Sequence, residues 1–167
     1  MTTELSGERV RLVSCSPEHY DRLRRLHTTP EVPRWWQDPS EKWPADEPGA
    51  VNYTVLLDGE IIGFAQWSAE TEPMYSHAGF DLFLDPEVHG RGLGTETVRV
   101  LCAHLIDDKG FHRLIIDPEV DNAVAIAVYE KAGFKPVGVL RRYVRDRFGE
   151  WKDGLLMDLL AEELVRG

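Results

Sequence analysis

A chain of 167 residues, 43% of them hydrophobic, has the length of one domain and can bury about two-thirds of its unfolded surface without cross-links. Its only cysteines, Cys15 and Cys102, lie far apart, which predicts a reduced, cytoplasmic setting and excludes a disulfide framework or a zinc pair. The formal charge of −10 argues against a polynucleotide partner and suits a positively charged one, although solubility alone is an equally good reason for an acidic chain.

The first residues, MTTELSGERVRL, include acids and no apolar run of signal-peptide length, and no later stretch is long enough to span a bilayer. Neither secretion nor a membrane partner is expected. Residues 9–14 alternate as a strand, and Ser16-Pro17 opens a helix to about His27. Residues 29–49 hold five prolines (Pro30, Pro33, Pro39, Pro44, Pro48) around Trp35, Trp36 and Trp43, which predicts a shaped loop with short helical pieces. Segments 52–57 and 60–69 read as antiparallel strands joined by Asp58-Gly59. Strand 76–84 ends in Asp85-Pro86, and helix 92–109 follows, with Val98, Leu101 and Leu105 on one face and Gly110 as its stop. Strand 112–117, a helix over 122–132 capped by Asn122 and ended by Gly133, and strands 134–145 and 150–160 complete the chain. No repeat or linker divides it, so residues 1–167 are expected to form one domain of mixed α/β class.

The stretch from Asp85 to Thr95 lies between a strand and a helix and contains Gly90, Gly92 and Gly94. Glycines permit left-handed backbone and close approach, and the free N–H groups of a helix start attract anions, so a pyrophosphate would sit well there. The Walker pattern is absent, and the dinucleotide pattern fails because Thr95 stands where its third glycine belongs. What His89-Gly90-Arg91-Gly92-Leu93-Gly94 resembles is the acyl-CoA-binding motif of the GNAT acetyltransferase superfamily, with His89 in place of the usual Gln or Arg. Asp121-Asn122 followed by Tyr129-Glu130-Lys131-Ala132-Gly133-Phe134 is similar to the family's second motif. The resemblance spans about residues 8–160.

It implies a GNAT fold: a central, mostly antiparallel mixed sheet of about seven strands, flanked by about four helices and splayed between the fourth and fifth strands. It implies acetyl-CoA as the acetyl donor, held by Leu82, Phe83, Leu84, the 89–95 turn (His89, Gly90, Arg91, Gly92, Leu93, Gly94, Thr95), Asn122 and Tyr129. Acetyl transfer to an amine calls for a carboxylate near the ammonium and for N–H groups beside the thioester oxygen. Tyr129 matches the tyrosine that faces the CoA sulfur in the family; its alternative is a packed core aromatic.

Phe80-Asp81-Leu82-Phe83-Leu84 and Asp117-Pro118 narrow the resemblance to aminoglycoside 6′-N-acetyltransferases, which implies Asp81 as base and Asp117 as amine-binding carboxylate. Each aspartate could instead be a solvent-facing or turn residue. The Trp35-Trp36 pair matches a tryptophan pair of that group and, with Asp38, Glu41, Asp46 and Glu47 nearby, would receive a cationic small-molecule amine. The other reading of the tryptophans is a small satellite core. Residues 138–143 and 151–158 also resemble ribosomal-protein N-terminal acetyltransferases, so a peptide amine is the alternative acceptor; a non-catalytic CoA-binding module is the third reading. The six histidines show no metal-binding spacing, so no metal is expected. The arginines of 141–147 read as a solvated strand face, and the oligomeric state is left as monomer or homodimer.

Overall fold

The computed structural model describes residues 4–45 and 49–167. Asp46, Glu47 and Pro48 of the proline-rich loop lie outside the described residues. Eight strands, β1 (Glu4–Ser6), β2 (Val10–Ser14), β3 (Val51–Leu57), β4 (Glu60–Glu70), β5 (His77–Leu84), β6 (Arg113–Ile116), β7 (Lys135–Arg145) and β8 (Trp151–Leu160), form one sheet in the order β1-β2-β3-β4-β5-β6-β8-β7. Only β5 and β6 pair in parallel.

The expectation of about seven strands missed β1, a three-residue edge strand that buries Leu5 alone and so has no readable periodicity. The splay consequently falls between the fifth and sixth strands. Strands β3 and β4 turn at Asp58 (φ 50°) and Gly59 (φ 80°), the pair of positive dihedrals that a tight primed turn requires.

Four α-helices cover the sheet: α1 (Tyr20–His27), α2 (Glu31–Trp36), α3 (Leu93–Ala103) and α4 (Ala123–Ala132). Period-two alternation decides which face each strand residue joins. On β5, Ala78, Phe80 and Leu84 enter the main core with Val98, Leu101 and Tyr129 from α3 and α4. Phe83 faces the other way, into a second core with Leu23, Leu26, Val32, Trp43 and Phe64 beneath α1 and α2. Asp81, two residues before Phe83, therefore projects on the α1–α2 side. The helix expected over 92–109 is α-helical only to Ala103; His104–Asp108 follow as a π-helical turn before Gly110 (φ 78°).

Candidate active site at the divided sheet

Strands β5 and β6 meet at only two positions, Ala78↔Leu114 and Gly79↔Ile115. Past them β5 continues beside β4, while the chain after β6 leans away: Pro118 O accepts from Leu155 N (2.7 Å) and Val120 N donates to Asp153 O (3.0 Å). A gap opens in the sheet. Asp85 N donates to Ile62 O on the β4 side, and backbone direction alternates along a strand, so the N–H groups of Leu82 and Leu84 point into the gap. That of Phe83 points to β4, and its ring belongs to the second core. Of the three residues expected beside the thioester, two turn their N–H groups into the gap.

A cavity of about 330 Å³ occupies the α1–α2 side of the gap, with Gln66, Glu70, Asp81, Ile116 and Asp117 in its wall. Among the described residues its lining carries three carboxylates, Glu70, Asp81 and Asp117, against His77 as the one basic side chain. Both predicted aspartates thus reach one site. Gln66 lies directly across from Asp81, and Asn52 from Gln66; the buried Oε1 of Gln66 and Oδ1 of Asn52 have no protein partner among the described residues. The wall is rich in acceptors, as suits a donor-rich occupant. Sequence reasoning passed over Gln66, for which the strand alternation of 60–69 was the available signal.

Asp117 has a partner that the sequence did not suggest: the Tyr143 hydroxyl donates to its Oδ2 at 2.5 Å. This bond, with partial burial and the charges of Asp117 and Asp81, pushes the Tyr143 phenol up to about 12. Tyr129 is buried in the main core, edge-on to Phe80 (6.2 Å) and Phe134 (6.0 Å). Burial above all, then the charges of Asp81 and Asp117, holds its phenol far above the usual range, so it keeps its proton at neutral pH.

On the opposite side, the Asp85 carboxylate accepts from Glu87 N (3.0 Å) and starts a short turn, Pro86–Val88. Gly90 (φ 79°) and Gly92 (φ 76°) take left-handed conformations that L side chains resist. Glu96 N is the first in α3 to donate back along the helix, to Gly92 O (3.1 Å), which leaves the N–H groups of Leu93, Gly94 and Thr95 outside the helical ladder. His89, Arg91 and both glycines are exposed around them. This end of α3 fits the pyrophosphate of acetyl-CoA. Glu96 braces it: its Oε2 accepts from Arg9 N and Val10 N, both at 2.7 Å, while Arg9 also donates to Arg91 O (2.8 Å).

The remaining expectations fare unevenly. Asn122 uses its Oδ1 to accept Ala125 N (3.2 Å), capping α4 and so setting the position of Tyr129. Trp36, half-buried, packs edge-on against His27, Phe64 and Phe83 at the margin of the second core, of which Trp43 is a buried member. Trp35 lines a separate cavity beside Glu119, Asp121 and Asp146, with Arg34 over its ring at 4.7 Å. Asp38 pairs with Arg147 (2.8 Å), so that arginine is no free strand face. Trp35, Trp36 and Asp38 do not line the cavity that holds Asp81 and Asp117.

The sequence profile of the acetyltransferase (GNAT) family matches residues 17–134. The L-amino acid N-acetyltransferase AaaT of Escherichia coli is 29% identical over 150 residues, 83% of this chain and 90% of that protein. The ribosomal protein bS18 alanine N-acetyltransferase of the same organism is 31% identical over 149 residues, 86% and 89% of the two chains. The aminoglycoside N(6′)-acetyltransferase type 1 of Klebsiella pneumoniae is 37% identical over 100 residues, which cover 53% of this chain and only 49% of the enzyme. A solved aminoglycoside acetyltransferase, AAC(6′)-Ib in complex with coenzyme A, superposes with a TM-score of 0.75 at 27% identity, covering 92% of this chain and 96% of its own.

Proposed function

The chain belongs to the GNAT acetyltransferase family, whose members draw their acetyl group from acetyl-CoA, and we propose that its acceptor is a primary amine of a cationic small molecule, the 6′-amino group of an aminoglycoside. The observation that carries this reading is the cavity wall of Glu70, Asp81 and Asp117 beside the gap, with no Lys or Arg among the described residues of its lining. Such a wall concentrates ammonium groups and lowers the cost of desolvating them.

In the reaction so proposed, Asp117 holds the ammonium and Asp81 takes its proton, directly or through water, so that a neutral nitrogen attacks the thioester carbon. Leu82 and Leu84 donate their N–H groups to the carbonyl oxygen as it gains negative charge. As the carbon–nitrogen bond forms and the carbon–sulfur bond breaks, Tyr129 gives its proton to the departing sulfur, the second proton shed by the nitrogen restores the phenol, and the proton taken by Asp81 passes to solvent. The turn from His89 to Thr95 holds the pyrophosphate throughout.

A free amino acid is a poorer acceptor on this wall, because its α-carboxylate would meet three carboxylates with His77 alone to answer it. A peptide N-terminus has no such group beside its amine, and the long match to the bS18 enzyme favours it as the second reading. The test is CoA release from acetyl-CoA with kanamycin, tobramycin, a 6′-hydroxy aminoglycoside, spermidine and an N-terminal ribosomal peptide. Turnover of the 6′-amino compounds and not of the 6′-hydroxy analogue is expected; turnover of the peptide alone would replace the aminoglycoside reading with the second.

A further inference from the structure

The β7–β8 hairpin contains an irregularity with no part in the chemistry described so far. Pairing is regular at Leu140↔Gly154 and resumes at Val144↔Lys152, so three residues of β7, 141–143, face a single residue of β8. Arg142 sits in this bulge at φ 48°, a conformation disfavoured for a residue with a side chain, and its N–H donates to Asp153 Oδ1 at 2.7 Å. The bulge turns Tyr143 across β8. Its ring lies over Gly154, where a Cβ would come within 2.9 Å of the ring carbon Cδ2. Glu119 is bridged to Gly154, which places the ring on the face of the sheet that carries Asp117, and the hydroxyl reaches Asp117 Oδ2.

We infer that Tyr143 is a positioning residue for the acceptor: its hydroxyl ties down one oxygen of Asp117 so that the other is aimed at the substrate ammonium. A carboxylate next to a proline-led turn is otherwise free to rotate. A hydrogen bond to a charged group fixes it at the expense of one acceptor site, leaving Oδ1 for the substrate. Bulge, left-handed Arg142 and bare Gly154 each serve this one contact. The inference rests on the proposed role of Asp117, and its test separates the two.

Tyr143→Phe should raise the acceptor KM about tenfold, with the acetyl-CoA KM unchanged. In an Asp117→Asn background the same substitution should add nothing to the acceptor KM. Gly154→Ala, which pushes the ring aside without touching the hydroxyl, should reproduce the KM effect in the wild-type background and none of it beside Tyr143→Phe. An unchanged acceptor KM in Tyr143→Phe, or effects that simply add to those of Asp117→Asn, overturns the inference. Independently of any substrate, the ¹³Cζ resonance of Tyr143 should move in Asp117→Asn at neutral pH; a resonance that stays put means there is no such contact. Failure of every amine to react would instead sink the proposed function and leave the resonance test standing.

Discussion

Removing the Glu96 brace should separate the stability of the protein from the chemistry of its acceptor side. Glu96 is on the first turn of α3, and its side chain is largely covered. Gly7 makes the cover possible, because a Cβ there would lie 2.6 Å from Glu96 Oε2. In Glu96→Ala the Val10 N–H, on a strand residue with no exposed surface, loses its acceptor, whereas water can replace the acceptor for Arg9. An orphaned buried donor costs roughly 1–3 kcal/mol and the half-exposed ion pair with Arg9 about 0.5, so a loss of about 2–3 kcal/mol is expected. For a domain of this size that lowers Tm by about 5–10 °C. Urea unfolding should show a lower midpoint at unchanged slope, and the acetyl-CoA KM should rise, because Arg9 also holds the Arg91 carbonyl of the glycine turn. The charge has a pH signature. Burial alone would raise the Glu96 carboxyl, but the N–H groups of Val10 and Arg9 and the Arg9 guanidinium outweigh it and hold it below its ordinary value of 4.5. The unfolded chain then binds this proton more readily, so the stabilisation is complete above pH 4.5 and is lost as the pH falls through the folded value. Glu96→Gln should remove that component of acid sensitivity. A Tm within about 1 °C of wild type for Glu96→Ala would refute the reasoning.

Asp81→Asn should cut kcat by roughly 10²–10⁴-fold and leave CoA affinity, measured by calorimetry, unchanged; an unaltered rate removes Asp81 as the base. Gly92→Ala should weaken acetyl-CoA binding and cost about 1–2 kcal/mol in urea unfolding, because the left-handed α3 start (φ 76°) resists a side chain. Trp36→Ala should destabilise the protein by about 2–3 kcal/mol, less than for a fully buried Trp, through lost packing against His27, Phe64 and Phe83, with little effect on the acceptor KM of the folded fraction; the reverse pattern would return Trp36 to the substrate. His27, pressed among Trp36, Trp43 and Phe83, has its pKa lowered by burial, so the unfolded chain takes up its proton first. Stability should decline as the pH drops below about 6.5, less steeply in His27→Gln; identical slopes would discount the buried imidazole.

The parts of this protein that could be read from its sequence are those whose cause is local. Asp58-Gly59 announces its turn by two residues, and the cap and stop of α4 are written in Asn122 and Gly133. The turn from His89 to Gly94 is legible because its glycines answer a backbone need within the same short stretch. Asp81 and Asp117 are picked out by the resemblance to aminoglycoside 6′-N-acetyltransferases, since their places in and at the end of a strand fit a solvent-facing or turn residue equally well. Where the cause lies far along the chain, the reading fails. For Trp36 the resemblance implies a substrate contact and a satellite core is the other reading; Phe64 and Phe83, on two other strands, pack against its ring, as the second reading has it. Asp38 meets Arg147 across 109 positions. Tyr143 reaches Asp117 only because a bulge, a left-handed arginine and a bare glycine coincide, and no periodicity in 134–145 foretells them. The π-helical turn within 92–109 is not legible because Leu105, buried in it, also fits the α-helical spacing of Val98 and Leu101.

The brevity of the β5–β6 pairing, two positions in a sheet of eight strands, has a consequence for how this molecule meets its donor. An open strand edge on the outside of a protein invites neighbours to stack on it; this one lies within the sheet, between strands, with a cavity beside it. The arm of coenzyme A is a slim, extended chain, and it carries amide groups of its own. It can be received as a surrogate strand, lending the sheet the hydrogen bonds that β6 withholds. The protein is in that sense an unfinished sheet, with an interior edge left open at the place where the proposed reaction would occur.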